Sequence, residues 1–206
     1  IGPSLTRFGI TDPLLDPVLE LHGTGAFVTI INDNWRDTQQ AAIEATGIPP
    51  TNDFESAIDA TLAPGAYTAI VKGKNNTSGV ALVEVYDLAQ GVGKLANIST
   101  RAFVSTGQNI VIAGFILDNN SGVDRIIVRG MGPSLTAAGV PNVLAHPTLE
   151  LRDAHGVLLS PNNDWQDTAV QAAIGTAAGL GPRNTDAAPV DARVSGGSSP
   201  ARPPGA

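Results

Sequence analysis

Cysteine is absent from the 206 residues. That excludes disulfides, thiolate metal sites and a cysteine nucleophile, and it leaves the redox compartment undecided. Aromatic residues make up only 4%, so Val, Ile, Leu and Ala must fill any core. Cations are also few: 12 Lys and Arg stand against 19 Asp and Glu, a net charge of −7. A nucleic-acid partner needs clustered cations, so none is expected. No basic amphipathic stretch is present, which argues against a membrane surface. No apolar run approaches the roughly 20 residues that span a bilayer, so membrane insertion is not expected. No leader is evident, and the chain opens on Ile1, not Met. The expectation is a processed product or a piece of something longer.

Glycine (23) and proline (15) are plentiful and point to many turns. The chain is long enough for one large or two small domains. Its organisation comes from a repeated phrase. "NDNWRDTQQAAI" (32–43) returns as "NNDWQDTAVQAAI" (162–174), and Trp35 and Trp165, the only two tryptophans, lie 130 positions apart. At the same offset "GPSLTRFGITDPLLDPVLEL" (2–21) faces "GPSLTAAGVPNVLAHPTLEL" (132–151), with 11 of 20 positions identical. Further on, "AIDATLAPG" (57–65) loosely faces "PVDARVSGG" (189–197). The chain therefore holds about one and a half copies of one module. Copy one continues into "AYTAIVKG" and "GVALVEVYDL", for which copy two has no counterpart; copy two is preceded by 98–130, for which copy one has none.

Strand signals dominate. "VLEL" and "TLEL" alternate with period two, and "AFVTII", "AYTAIV", "VALVEVY", "NIVIAGFIL" and "RIIVR" are short, β-branched and bounded by turn residues. Asp153–Ala154–His155–Gly156 reads as a hairpin turn. One short helix is expected per copy. In copy one it is capped by Asp37, with Gln40 at the capping-box position, and stopped by Gly47 and Pro49. "GPSL" adds a short turn in which Ser4 and Ser134 read as caps. The expected fold is all-β, with antiparallel, jelly-roll-like β-sandwich modules carrying one short helix per repeat. The expected division is a first repeat at 1–95, a truncated second repeat at 96–194 and a flexible Gly/Ser/Pro tail at 195–206. Residues 96–130 either complete the first repeat or open the second.

"PTLELRDAHGVLLSPNNDW", followed in copy one by "ATLAPGAYTAIVKG", resembles the jelly-roll sandwiches of the bacterial pre-peptidase C-terminal type. The whole unit is similar to tandem repeats in large secreted or surface proteins of environmental bacteria. The resemblance implies an extracellular or cell-surface, non-catalytic module that forms a stalk, fibre or adhesive structure, with calcium binding in some members. Copy one departs from it, with "LHGTGAF" where copy two keeps "LRDAHGVL".

The residues themselves offer little chemistry. Asp33, Asn34 and Asp37, and their counterparts Asn163, Asp164 and Asp167, are hard oxygen donors at short spacing, the type that holds Ca²⁺. The competing reading is that these residues simply favour turns and caps. Trp35 and Trp165 read as structural anchors packing the helix onto the sheet, with sugar stacking as the lesser reading. His22, His146 and His155 read as solvated, and Glu20 and Glu150 as outward strand residues in separate modules. Ser4 and Ser134 lack the nucleophile-elbow spacing. No catalytic residue and no tightly bound cofactor is expected. The expected partners are other copies of the chain, joined head to tail, neighbouring repeats, or surface glycans. A calcium- or carbohydrate-binding accessory module of a secreted hydrolase is the alternative.

Overall fold

The computed structural model describes residues 1–88, 95–107, 109–116, 123–164 and 187–195. Strand residues outnumber helical ones, 21% to 14%, and the sheets are antiparallel, so the fold is mostly β. The chain divides into two compact units, Ile1–Ser99 and Thr100–Ala206.

The first unit opens with a 3₁₀ turn, Pro3–Phe8, started by a proline whose fixed φ suits the first helical position. Gly2 precedes it because the backbone passes close to Leu14: a Cβ at position 2 would collide with the Leu14 carbonyl oxygen. Strand β1 (Pro17–His22) sits between β2 (Ile30–Asn32) and β3 (Thr68–Gly73) in a three-stranded sheet. Leu19 faces Asn32 on one side and Val71 on the other; Glu20 faces Ile31 and Ile70. Helix α1 (Gln40–Ala45) buries Ile43, and Leu5, Leu14 and Trp35 complete a small core.

The second unit repeats this beginning. Its 3₁₀ turn, Pro133–Ala138, is preceded by Gly132, where a Cβ would collide with the Leu144 carbonyl oxygen. Strand β5 (Leu149–Arg152) pairs with β6 (Leu158–Asn162), and the register matches β1 with β2 at the offset of 130: Leu149 faces Asn162 and Glu150 faces Pro161. Asn32 Nδ2 donates to the Asn34 carbonyl at 3.0 Å, and Asn162 Nδ2 to the Asp164 carbonyl at 3.2 Å. The sequence repeat is therefore a structural repeat. Strand β4 (Val123–Gly130) pairs with β7 (Ala187–Ser195).

The β5–β6 turn follows the local chemistry. Gly156 takes φ +81°, which a residue with a Cβ adopts only under strain. Its N–H donates to the Asp153 carbonyl at 3.0 Å, while Asp153 Oδ1 accepts from the N–H groups of His155 (2.8 Å) and Val157 (2.9 Å).

Several expectations need correction. The helix does not start from Asp37: Gln39 holds the cap position without a side-chain cap bond. The physical cause is a turn that keeps Asp37 in the loop, its N–H donating to the Asn34 carbonyl at 3.0 Å. Gln39 is meanwhile clamped to Asp59 by paired bonds of 2.7 and 3.3 Å. Of "VALVEVY" only Val80 joins a bridge, to Pro13, and of "NIVIAGFIL" the described residues 109–116 form no ladder. A short β-branched run alone does not make a strand; a neighbour must supply a ladder of hydrogen bonds. Strand β7 was not foreseen, and it takes in Ser195, assigned above to the tail. The segment where a copy-two helix was expected, Trp165, Asp167 and residues 196–206 lie outside the described residues.

Candidate functional site

A cluster of polar groups in the first unit surrounds Trp35, which is 1% exposed. Its indole Nε1 donates to the Asn52 carbonyl at 3.1 Å, and its backbone N–H donates to the Glu55 carbonyl at 2.8 Å. The Arg36 guanidinium lies 4.4 Å from the centre of the Trp35 ring and pairs with Asp53 at 2.8 Å. Both ring faces are therefore unavailable to a sugar. Asn32 ties the same loop to the next segment, its Oδ1 accepting the Ala57 N–H at 3.0 Å.

Glu55 is fully buried. Its Oε1 accepts the backbone N–H of Gly2 at 3.2 Å and of Ser4 at 3.0 Å, together with the Ser4 hydroxyl. Its Oε2 is buried without a hydrogen-bond partner. Ser4 is thus not the cap of its turn: Gly2 holds that position, and the hydroxyl turns inward to the carboxylate. Glu55 escaped the sequence reading because nothing in "NDFES" marks it as buried and its partners lie more than 50 positions away. The one available signal was the return of Ser in both "GPSL" phrases.

The donors proposed for calcium have protein partners for some of their atoms, while Asp33 Oδ1 and Asn34 Oδ1, with Asp16 Oδ1, are buried without a hydrogen-bond partner. Asp33 Oδ2 accepts from the Lys74 ammonium at 2.6 Å, and Asp16 Oδ2 lies 3.7 Å from the same nitrogen. Asn34 Nδ2 donates instead to Asp37 Oδ2 at 3.1 Å. The Lys74 ammonium supplies the positive charge that these carboxylates would otherwise seek, and Asp33 beside it holds its pKa above the ordinary lysine value. In the second unit Asn163 is exposed and Asp164 half-buried. Among the described residues no group of three His, Cys, Asp or Glu is placed to hold a metal ion. Lys74 and Asp16 were not singled out from sequence.

Glu20, expected to face outward, is the centre of an ion cluster. Lys72 from β3 and His22 (3.0 Å) both reach its carboxylate, which is only 15% exposed. Lys72 first, and His22 second, hold its pKa below the ordinary glutamate value. Glu150, its twin, is 52% exposed and pairs, among the described residues, within its own strand, with Arg152 at 2.7 Å. His155 is exposed, and His146 is exposed.

That contrast marks the open places of the two units. Strand β1 has two neighbours; its twin β5, among the described residues, has one. Strand β7 has β4 as neighbour; its copy-one counterpart, 57–63, forms no ladder. Large apolar side chains are exposed on 80–88 and 95–116, among them Val85 (54%), Ile98 (64%), Phe103 (83%), Ile112 (83%) and Ile116 (86%). Comparison with known protein families, with curated proteins and with solved structures returns no match to this chain.

Proposed function

We propose that the chain is a non-catalytic, extracellular or cell-surface repeat module. It joins copies of itself or neighbouring repeats through open sheet edges to build a fibre, stalk or adhesive structure. The observation that carries this reading is that two copies of one module pair their strands differently among the described residues: β1 is paired on both edges while its twin β5 has one neighbour, and β7 pairs with β4 while its counterpart 57–63 forms no ladder. Unpaired backbone groups along a strand are a template for another strand, and barrels or added strands are how sheets satisfy them. A head-to-tail contact of this kind does not close on itself and grows linearly.

The exposed apolar residues at 80–88 and 95–116 support a sandwich completed by such contacts, since a sandwich buries one face of each sheet against a second. The buried Trp35 and the internally neutralised Asp33 fit a scaffold better than a ligand site. The resemblance to secreted tandem repeats supports the location. Negative-stain imaging of the purified chain tests the reading. Linear assemblies of regular width are expected; isolated compact particles at every concentration would overturn it.

A further inference from the structure

We propose that the chain joins Lys74 to Asp33 through a side-chain amide, an intramolecular isopeptide cross-link, with Asp16 relaying the proton. The bond lies within the first unit and does not depend on whether copies of the chain associate.

The strand register brings the three residues to one end of the sheet. Pro17 faces Gly73, so Asp16 and Lys74 follow as the next pair, and the Lys74 N–H donates to the Asp16 carbonyl at 2.9 Å. Asp33 follows Asn32, the last residue of β2, on the far side of β1. The lysine side chain reaches it across the start of β1. Its Nζ lies 2.6 Å from Asp33 Oδ2 and 3.7 Å from Asp16 Oδ2. The nitrogen thus touches an oxygen bonded to the carbon it attacks. A well-oriented intramolecular pair has an effective molarity of about 10⁵–10⁸ M, which lets amide formation compete with water.

Two carboxylates share this one ammonium. Their side chains are only 33% and 30% exposed, and Asp33 Oδ1 and Asp16 Oδ1 are buried with no donor. Each carboxylate therefore keeps one oxygen unsolvated, which is costly for a charged group. Condensation removes an anion and a cation together: Asp33 COO⁻ and Lys74 NH₃⁺ become a neutral amide and one water. One ammonium proton passes to Asp16 Oδ2 and frees the Nζ lone pair to attack Asp33 Cγ. A second leaves Nζ as the C–N bond forms. Both end on the departing Asp33 oxygen, which is expelled as water, and Asp16 is again a carboxylate. Asp33 holds the resting amine protonated, so the transfer to Asp16 sets the pace and the cross-link builds up with time. The other lysine pair of the sheet lacks this arrangement. Glu20 has its oxygens taken by Lys72 and His22, two basic groups, with no second carboxylate in the set. Copy two lacks it as well: Asn163 replaces Asp33, and no lysine follows Lys94 in the sequence. The bond ties β2 to β3 across β1, which suits a scaffold that carries load.

Intact-mass spectrometry of the denatured 206-residue chain provides the test, on fresh protein and after prolonged incubation at neutral pH. A species lighter than the sequence mass by one water is expected, with a share that grows with time. Trypsin, which cuts after Arg and Lys, then locates the bond. The cross-linked chain yields one branched peptide, 8–36 joined to 73–94, with no cut at Lys74. This readout needs no variant, so a folding defect cannot mimic it. Asp16→Asn should slow the cross-link by about 100-fold or more; an unchanged rate removes Asp16 from the reaction. The full sequence mass at every time overturns the proposal. So does a water loss in which trypsin still cuts at Lys74, since a cyclised aspartate loses the same mass.

Discussion

At the scale of single residues the first unit is held by two buried side chains from the same loop region, Trp35 and Glu55. Trp35→Ala removes a fully packed ring, its bond to Asn52 and the platform under Arg36. We expect a loss of about 3–5 kcal/mol, read from urea unfolding of the first unit. A change below about 1 kcal/mol would show that the ring is not a packing anchor. Glu55 differs because its carboxylate serves three donors at once. Glu55→Ala leaves the Gly2 and Ser4 groups buried and unpaired, at about 1–3 kcal/mol for each group left without a partner. Glu55→Gln keeps an accepting oxygen, so its cost should be clearly smaller in the same unfolding assay. Equal costs would mean that the charge, not the acceptor geometry, matters.

Among the elements, what was legible in the sequence was local. Asp153–Gly156 announced its turn because the carboxylate acceptor and the left-handed glycine are both within four residues. Gly156→Ala should therefore cost about 1–2 kcal/mol, the penalty of a Cβ in the left-handed region, measured on the second unit's unfolding. β1 was legible from alternation and β3 from its short β-branched run, and the recurrence of "GPSL" and "LEL" correctly implied recurrent structure. What was not legible depended on distant partners. Residues 80–86 and 109–116 are short and β-branched like strands, yet among the described residues their pairing stops at the Pro13–Val80 bridge and the backbone bonds between Ile1 and Leu82. Asp37 has the chemistry of a cap, yet Gln39, clamped to Asp59, sets the helix start. Glu20 looked like an outward residue because Lys72 is brought to it only by the β1–β3 register. Its lowered pKa gives that pairing a pH signature. A carboxyl whose folded pKa lies below its unfolded value contributes stability above the unfolded pKa. That contribution is lost as the pH falls through the lowered, folded value. Thermal melts of Lys72→Met should thus lie below those of the unaltered chain at neutral pH and converge with them in strong acid. A gap that persists in acid would assign the loss to packing of the lysine stem.

For the molecule as a whole, the two units carry the same module with different strands paired among the described residues, and large apolar residues of 80–88 and 95–116 are exposed. Such surfaces are covered by association in stable structures. The most direct test of this account is the mass in solution, followed by multi-angle light scattering across a wide range of protein concentration. The account predicts a mass that climbs with concentration well above the 21.0 kDa of one chain, without a plateau at a small closed oligomer. A constant mass of 21.0 kDa at every concentration would contradict it.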